Sequence, residues 1–276
     1  MILEYRVEET INVKDFLKDK LTSNLIKQLN MNNSYIVNNC FVLNYYEMSK
    51  GDLLKIIIPP IKPNVIATKG VLDIVYEDDY LLIINKPNDM ATIPTRKHYT
   101  SSLANIVRYY YITKGLNIGV HFINRLDSAT SGLVIVGKNQ YVVEKMKDCI
   151  IDKLYLLVVD GIINEGGEII TGIEKEEESI IKRKVVDGKN SKTEYKILKT
   201  IGNKTLAEAK LHTGKTHQLR LHFSSIGHPI VGDLLYGNNT IYSKLLLHSY
   251  CVKFIHPITK EILEFKSMPC WINDLE

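Results

Sequence analysis

The chain has 276 residues, 45% hydrophobic and 24% charged. That is ordinary globular composition, with room for two domains or one large domain and an appendage. Its four cysteines, Cys40, Cys149, Cys251 and Cys270, are scattered and show no C-x-x-C spacing. This argues against a disulfide scaffold or thiolate metal site and for reduced thiols in the cytoplasm. The net charge of +4 neither demands nor excludes nucleic acid. No apolar run approaches the about 20 residues of a membrane helix, and the N-terminus lacks the basic-then-apolar pattern of a leader.

Residues 1–60 read as a small module. Phe16, Leu17, Leu21, Leu25, Ile26 and Leu29 recur at helical intervals, predicting a helix over 13–29. Asn32-Asn33 breaks it, and short strands follow at 35–39 and 41–44. Gly51-Asp52 turns the chain into a strand over 53–58, which Pro59-Pro60 stops because proline cannot donate into a ladder. Residues 61–69 read as a linker. The helical segment, the Asn-bearing hairpin and the Gly-Asp turn resemble the S4-type RNA-binding module. The module carries seven Lys/Arg and seven Asp/Glu, whereas an RNA-binding face should be basic. A structural cap therefore stands beside the RNA-binding reading.

Residues 71–76 and 80–85 flank Glu77-Asp78-Asp79, the pattern of a hairpin with an acidic turn. A polar loop spans 87–100. Ser101-Ser102 cap a predicted helix reaching residue 114, with Leu103, Ile106, Val107 and Tyr110 on one face. A second helix is predicted over 139–151 and an interior strand over 153–159. Residues 168–178 hold five Glu against one Lys and read as a solvated loop or edge. Residues 182–222 are the reverse, with eleven Lys/Arg against three Asp/Glu, plus His212, His217 and His222. Read as strand, strand and helix, they are a candidate wall for phosphates. Turn signals fill 227–237, and a closing hairpin pairs 245–254 with 261–265. Hairpin-joined strands dominate, so the expected class is α+β, a mostly antiparallel sheet with packed helices.

The stretch 121–136 reads as a short strand, a polar turn and an apolar strand, with Asp127 where the first strand gives way. An aspartate there often bonds its own backbone. The same position suits a catalytic carboxylate on a rigid strand end. Other motifs fail. Gly214-Lys215-Thr216 matches the tail of a P-loop, but the required earlier glycine is Ala209. His212, His217 and His222 are spaced by five, which on a helix sets successive rings about 140° apart and disfavours a zinc pair.

Four segments, in order, resemble the RluA-like RNA pseudouridine synthases. They are residues 74–87, ending Asn85-Lys86-Pro87; Asn124-Arg125-Leu126-Asp127-Ser128-Ala129-Thr130-Ser131-Gly132-Leu133; Lys153-Leu154-Tyr155; and Thr213-Gly214-Lys215-Thr216-His217-Gln218-Leu219-Arg220 with Gly227-His228-Pro229-Ile230-Val231-Gly232-Asp233. Leu247-His248-Ser249 and the His256-Pro257 turn fit the family's closing segment. The resemblance spans residues 70–270. It implies a pseudouridine synthase domain over 70–276 and an isomerase acting on uridines in structured RNA, ribosomal RNA ahead of transfer RNA. It implies no metal and no nucleotide cofactor.

By the same resemblance the catalytic aspartate falls on Asp127, the active-site tyrosine on Tyr155 and the aspartate's basic partner on Arg220. Arg125 would fill the space a flipped base vacates or grip a phosphate, and Lys215 and His217 would contact RNA. The family usually has His at Asn124 and Arg at Lys215; Lys keeps the charge but loses the bidentate fork. Whether Asp127 acts as nucleophile, stabilises the sugar or deprotonates it stays open. A cytoplasmic monomer with RNA as its partner, and no membrane partner, is expected. Two other readings remain: a non-catalytic RNA-binding protein on the same scaffold, and a hydrolase, which needs a second carboxylate that the sequence does not offer beside Asp127.

Overall fold

The computed structural model describes residues 1–179, 181–237 and 242–275. In chain order the first part carries β1 (Ile2–Arg6), β2 (Ile11–Asn12), α1 (Val13–Lys18), α2 (Ser23–Met31), β3 (Tyr35–Val37), β4 (Cys40–Val42), β5 (Glu47–Met48) and β6 (Leu53–Ile57). An antiparallel sheet runs in the order β1-β6-β3-β4, and β2 pairs with β5. Val13, Leu17, Leu25, Leu29, Tyr35, Leu54 and Ile56 form its own apolar cluster.

The single helix expected over 13–29 is two helices. Leucines at 17, 21, 25 and 29 keep helical spacing through the break, which hides it from a periodicity reading. Thr22 makes the break, its Oγ1 accepting the Leu25 N–H at 3.3 Å as the cap of α2. Strand β1, not anticipated, closes the sheet by pairing along the whole of β6.

The rest comprises β7 (Ile74–Glu77), β8 (Leu81–Lys86), α3 (Leu103–Thr113), β9 (His121–Phe122), β10 (Ser131–Gly137), α4 (Gln140–Lys147), β11 (Asp152–Asp160), β12 (Gly167–Lys175), β13 (Arg183–Ile201), β14 (Lys204–Leu211), α5 (Gln218–Ser225), β15 (Leu247–Ile255) and β16 (Ile262–Lys266), then a 3₁₀ turn. One sheet runs β12-β13-β14-β11-β15-β10-β8-β7, with β9 on β10 and β16 on β15. The β10–β15 pair is parallel and the other pairings described are antiparallel. The class is therefore α+β with a mixed sheet.

All seven residues of β10 are buried, because helices cover both faces of the sheet. Strand alternation sorts the core. Leu82, Ile84, Val134, Val136, Tyr155 and Leu157 meet α3 and α5 on one face. Leu81, Ile83, Leu133 and Ile135 meet Val142 and Met146 of α4 on the other. The acidic stretch expected as loop or edge is the edge strand β12. The expected helix over 139–151 stops at Lys147, and the interior strand begins at Asp152.

Residues 61–69, expected as a linker, are hydrogen-bonded to the part of the chain that follows. The Asn64 side chain donates to the Val120 carbonyl and accepts its N–H, both at 3.0 Å. Asn105 Nδ2 donates to the Ile66 carbonyl at 2.7 Å, and the Gly119 N–H donates to the Ile61 carbonyl at 2.7 Å. A Cβ on Gly119 would lie 2.2 Å from the Lys62 carbonyl oxygen, so only glycine admits this close strap. The first part also rests on α4. Thr22 donates to Glu144, Lys145 Nζ donates to the Lys20 carbonyl at 3.4 Å, and Tyr141 packs on the first apolar cluster.

Candidate active site

Asp127 lies in the loop between β9 and β10, not at a strand end as the sequence suggests. The backbone ladder stops early because Asn124 takes it over. Its Oδ1 accepts the Ile135 N–H at 2.8 Å and its Nδ2 donates to the Leu133 carbonyl at 3.2 Å. The loop is then tied at nearly every residue. Thr92 Oγ1 donates to the Leu126 carbonyl at 2.7 Å, Asn88 Nδ2 donates to the Ala129 carbonyl at 2.6 Å, and the Thr130 N–H donates to the Asp127 carbonyl at 3.1 Å. The Asp127 side chain is left 30% exposed, open to a ligand from one side.

Two residues from the segment that opens α5 face this carboxylate. Arg220 Nη1 stands 3.9 Å, and His217 Nε2 3.8 Å, from Asp127 Oδ2. Arg220 is held from behind, with Nε and Nη2 donating to Asp233 at 2.7 and 2.6 Å in a bidentate fork. Burial pushes the Asp233 carboxyl up, but the Arg220 guanidinium and the Leu235 and Tyr236 N–H groups outweigh it and hold it below the usual range. Gly232 sets up this aspartate at φ 76, where a Cβ would lie 2.0 Å from the Lys244 carbonyl oxygen. His217 Nδ1 meets Tyr236 Oη at 2.8 Å, and burial lowers its pKa, so the ring is neutral at pH 7.

Tyr155 reaches the site through sheet register. On β15, Ser249 is opposite Gly132 of β10 on one side and Tyr155 of β11 on the other. Gly132 follows the Asp127 loop at φ 113, and a Cβ there would lie 2.3 Å from the Ser249 carbonyl oxygen. The register shifts between Leu154 and Tyr155, with Tyr250 as the extra residue on β15, and this sets Tyr155 opposite Ser249. Burial pushes its phenol up to about 12; the Ser249 hydroxyl opposes the shift and the Asp127 carboxylate adds to it. The hydroxyl is therefore a neutral group at ordinary pH.

Lys86 is a site residue that sequence reasoning passed over as a strand end. Its side chain is fully buried, and Nζ donates to the carbonyls of Pro87, Met90 and Ser128 at 2.8, 2.8 and 3.1 Å. Ser128 adjoins Asp127, so this ammonium anchors the Asp127 loop. Burial pushes it down to about 7 against the pull of Asp127 and Asp89. A lysine immediately before a proline in an otherwise apolar strand was the available signal. Asp233 and Tyr236, hidden among turn signals, were missed likewise.

The remaining expected RNA contacts line the rim. Arg125 and Lys215 are both exposed, and neither joins an ion pair among the described residues. The basic wall over 182–222 is weaker than its composition suggests. Lys192 pairs with Glu168 at 2.7 Å, Lys196 with Glu208 at 2.7 Å and Lys210 with Asp152 at 2.9 Å. His212 pairs with Glu194 at 3.1 Å, while His222 is buried against Thr193, Ser191 and Thr171.

A mixed sheet carries this loop aspartate together with a buried arginine and a buried tyrosine, and comparison with known proteins gives the family. Residues 80–225 match the RNA pseudouridylate synthase family. The chain is 35% identical over 229 residues to the uncharacterized RNA pseudouridine synthase YjbO of Bacillus subtilis strain 168, covering 80% of this chain and 81% of that one. It is 32% identical to the ribosomal large subunit pseudouridine synthase D of Zymomonas mobilis, covering 70% and 68%. Among solved structures, human RNA pseudouridylate synthase domain containing 1 superposes with a TM-score of 0.61 at 25% identity, covering 78% of this chain and 89% of that one. The chain belongs to the RluA-like RNA pseudouridine synthases and is an enzyme of that class.

Proposed function

We propose that this enzyme isomerises specific uridines of structured RNA, ribosomal RNA ahead of transfer RNA, with Asp127 as the catalytic carboxylate. The carrying observation is that Asp127 is both open to solvent and faced by two buried nitrogen donors, Arg220 and His217. The relative named for the large ribosomal subunit supports the choice of RNA.

The reaction breaks the N1–C1′ bond, turns the uracil and joins C5 to C1′. C5 gives up a proton and N1 takes one, so nothing is transferred or oxidised overall. The target base has to leave its stack to be reached. Tyr155 offers it a rigid ring beside Asp127, while Arg220, fixed by Asp233, keeps the Asp127 carboxylate oriented. Arg125 fills the vacated space or holds a flanking phosphate, and Lys215 meets the RNA at the rim. Residues 1–60 act as an S4-like module ahead of a short strap over 61–69 and a catalytic domain over 70–276. The helix pair α1–α2, the β3–β4 hairpin and the Gly51-Asp52 turn into β6 support that division.

The test is to map pseudouridines in total RNA from cells with and without the protein. Loss at a defined uridine, restored by the wild-type gene but not by Asp127→Asn, is the expected outcome. A full complement of pseudouridines with Asp127→Asn would refute the assignment.

A further inference from the structure

His217 has a backbone conformation unusual for a residue with a side chain. Its φ is 59, in the left-handed region, at the cap position of α5, yet its side chain makes no cap hydrogen bond. Such a conformation in a non-glycine residue persists where the surroundings over-determine it, often at a working site. Here it turns the ring so that its two nitrogens face different partners. Nδ1 meets Tyr236 Oη at 2.8 Å and Nε2 points at Asp127 Oδ2, 3.8 Å away.

Tyr236 decides which nitrogen carries the proton. The Arg183 backbone N–H donates to Tyr236 Oη at 2.8 Å. The phenol keeps its own proton, and among the described residues His217 Nδ1 is the acceptor in reach. Tyr236 therefore donates to Nδ1, and the ring proton lies on Nε2, facing Asp127. Arg220 Nη1 faces the same carboxylate oxygen from 3.9 Å. Both separations exceed a hydrogen bond, so neither N–H is committed to Asp127.

Resting on the reading of Asp127 as the catalytic carboxylate, we propose that His217 is a further catalytic residue, a neutral donor whose Nε2–H, with Arg220 Nη1, hydrogen-bonds a carbonyl oxygen of the flipped uracil. When the N1–C1′ bond breaks, its electron pair stays with the base and spreads over N1 and the ring oxygens, while the deficiency remains at C1′ beside Asp127. Donors already in place at a ring oxygen stabilise that charge without rearranging. After the base turns, C5 supplies the pair that bonds C1′, its proton passes to water, and N1 takes a proton from water. Both donors are then free of the charge they stabilised.

The groups facing His217 are Asp127, Asp233, Arg220, Arg183 and Tyr236. Burial keeps the ring neutral, the two arginines reinforce this, and the two aspartates oppose it. Below its lowered pKa the ring takes a proton on Nδ1, which ends its acceptance from Tyr236, so turnover should fall with His217 protonation on the acid side.

The test uses RNA labelled with tritium at uridine C5, prepared from cells lacking the protein, and counts tritium released to water. With wild-type enzyme active, His217→Ala should lower single-turnover release by about 100-fold while filter-binding affinity for the RNA stays within about threefold. His217→Gln, whose side-chain amide N–H takes over the donor role of Nε2–H, should recover part of the loss. In ¹⁵N–¹H correlation spectra at neutral pH the His217 proton should lie on Nε2, and Tyr236→Phe should weaken that preference. Release by His217→Ala within threefold of wild type, or a ring proton on Nδ1, overturns the inference while leaving the assignment of Asp127 standing. Wild-type enzyme that releases no tritium, or Asp127→Asn that releases it fully, overturns both.

Discussion

Arg220 gives two guanidinium nitrogens to Asp233 and leaves Nη1 alone to face Asp127. The arginine is thus oriented by one carboxylate so that it can serve another. Both members of the fork are almost wholly buried, and a buried pair that loses one partner leaves a charge with no counterpart. Asp233→Asn should therefore cost about 3–5 kcal/mol in urea unfolding and also abolish pseudouridine formation. Arg220→Lys should fold but lose at least about tenfold in turnover, because an ammonium cannot span both carboxylates. Wild-type turnover in Arg220→Lys would show that orientation by Asp233 is unimportant.

Lys86 predicts a pH effect on stability. In the unfolded chain its ammonium keeps its proton up to about 10.5, but in the folded chain only to about 7. Between those values the unfolded state binds more protons, so this residue makes the fold more stable as pH rises. From pH 7 to 9 the stability gain should be larger in wild type than in Lys86→Met by about 2 kcal/mol. Equal gains in denaturant melts at the two pH values would remove Lys86 from the account.

Tyr155 separates platform from hydroxyl. Tyr155→Phe keeps the ring, so RNA affinity should hold while turnover drops. Tyr155→Ala should also weaken binding by about 1–3 kcal/mol through the missing stacking surface. Its largely buried position on the α3–α5 face should add a core penalty of about 3–5 kcal/mol. Filter binding, single-turnover rates and unfolding curves distinguish the three effects.

Gly132→Ala should be among the most damaging small substitutions. The added methyl would meet the Ser249 backbone at 2.3 Å, and φ is 113. Parting β10 from β15 would also part the Asp127 loop from Tyr155. A loss of both stability and turnover is expected, and a variant with the wild-type midpoint and rate would contradict the register argument.

The basic wall divides into paired and unpaired cations. Lys182, Lys184 and Lys189 are exposed and join no ion pair among the described residues, whereas Lys192, Lys196 and Lys210 face acids. Replacing the first three with alanine should flatten the salt dependence of RNA binding by about 0.7–0.9 for each phosphate left without its lysine. Replacing the second three should change it less. An equal change in the two triple variants would mean that the ion pairs open on binding.

Much of this arrangement was legible in the chain itself. The Asp127 stretch, the strand of Tyr155 and the helix of Arg220 announce themselves by residue order, and the helix cap at Ser102 stands where the sequence places it. What escaped depended on side chains acting as backbone. Asn124 replaces a rung of the ladder, so the strand pattern runs on toward Asp127 although the strand itself has already ended. Asn64 straps down a segment that composition marks as free. Lys86 is charged, and nothing local says that three carbonyls from distant turns will enclose it. The break at Thr22 was masked because leucines keep helical spacing through it.

The parallel contact of β10 with β15 has a consequence for how the enzyme comes into being. Ser131 and His248, whose side chains meet at 2.8 Å across it, are 117 positions apart in the chain. The β12–β13, β13–β14 and β15–β16 hairpins form from near neighbours, but this seam and the β15–β11 pairing beside it have to close long loops, at a cost in chain entropy that local pairing does not repay. Tyr155 and Asp127 become neighbours in the sheet through those two long-range pairings together. A chain with only its hairpins formed would therefore hold Tyr155 and Asp127 apart.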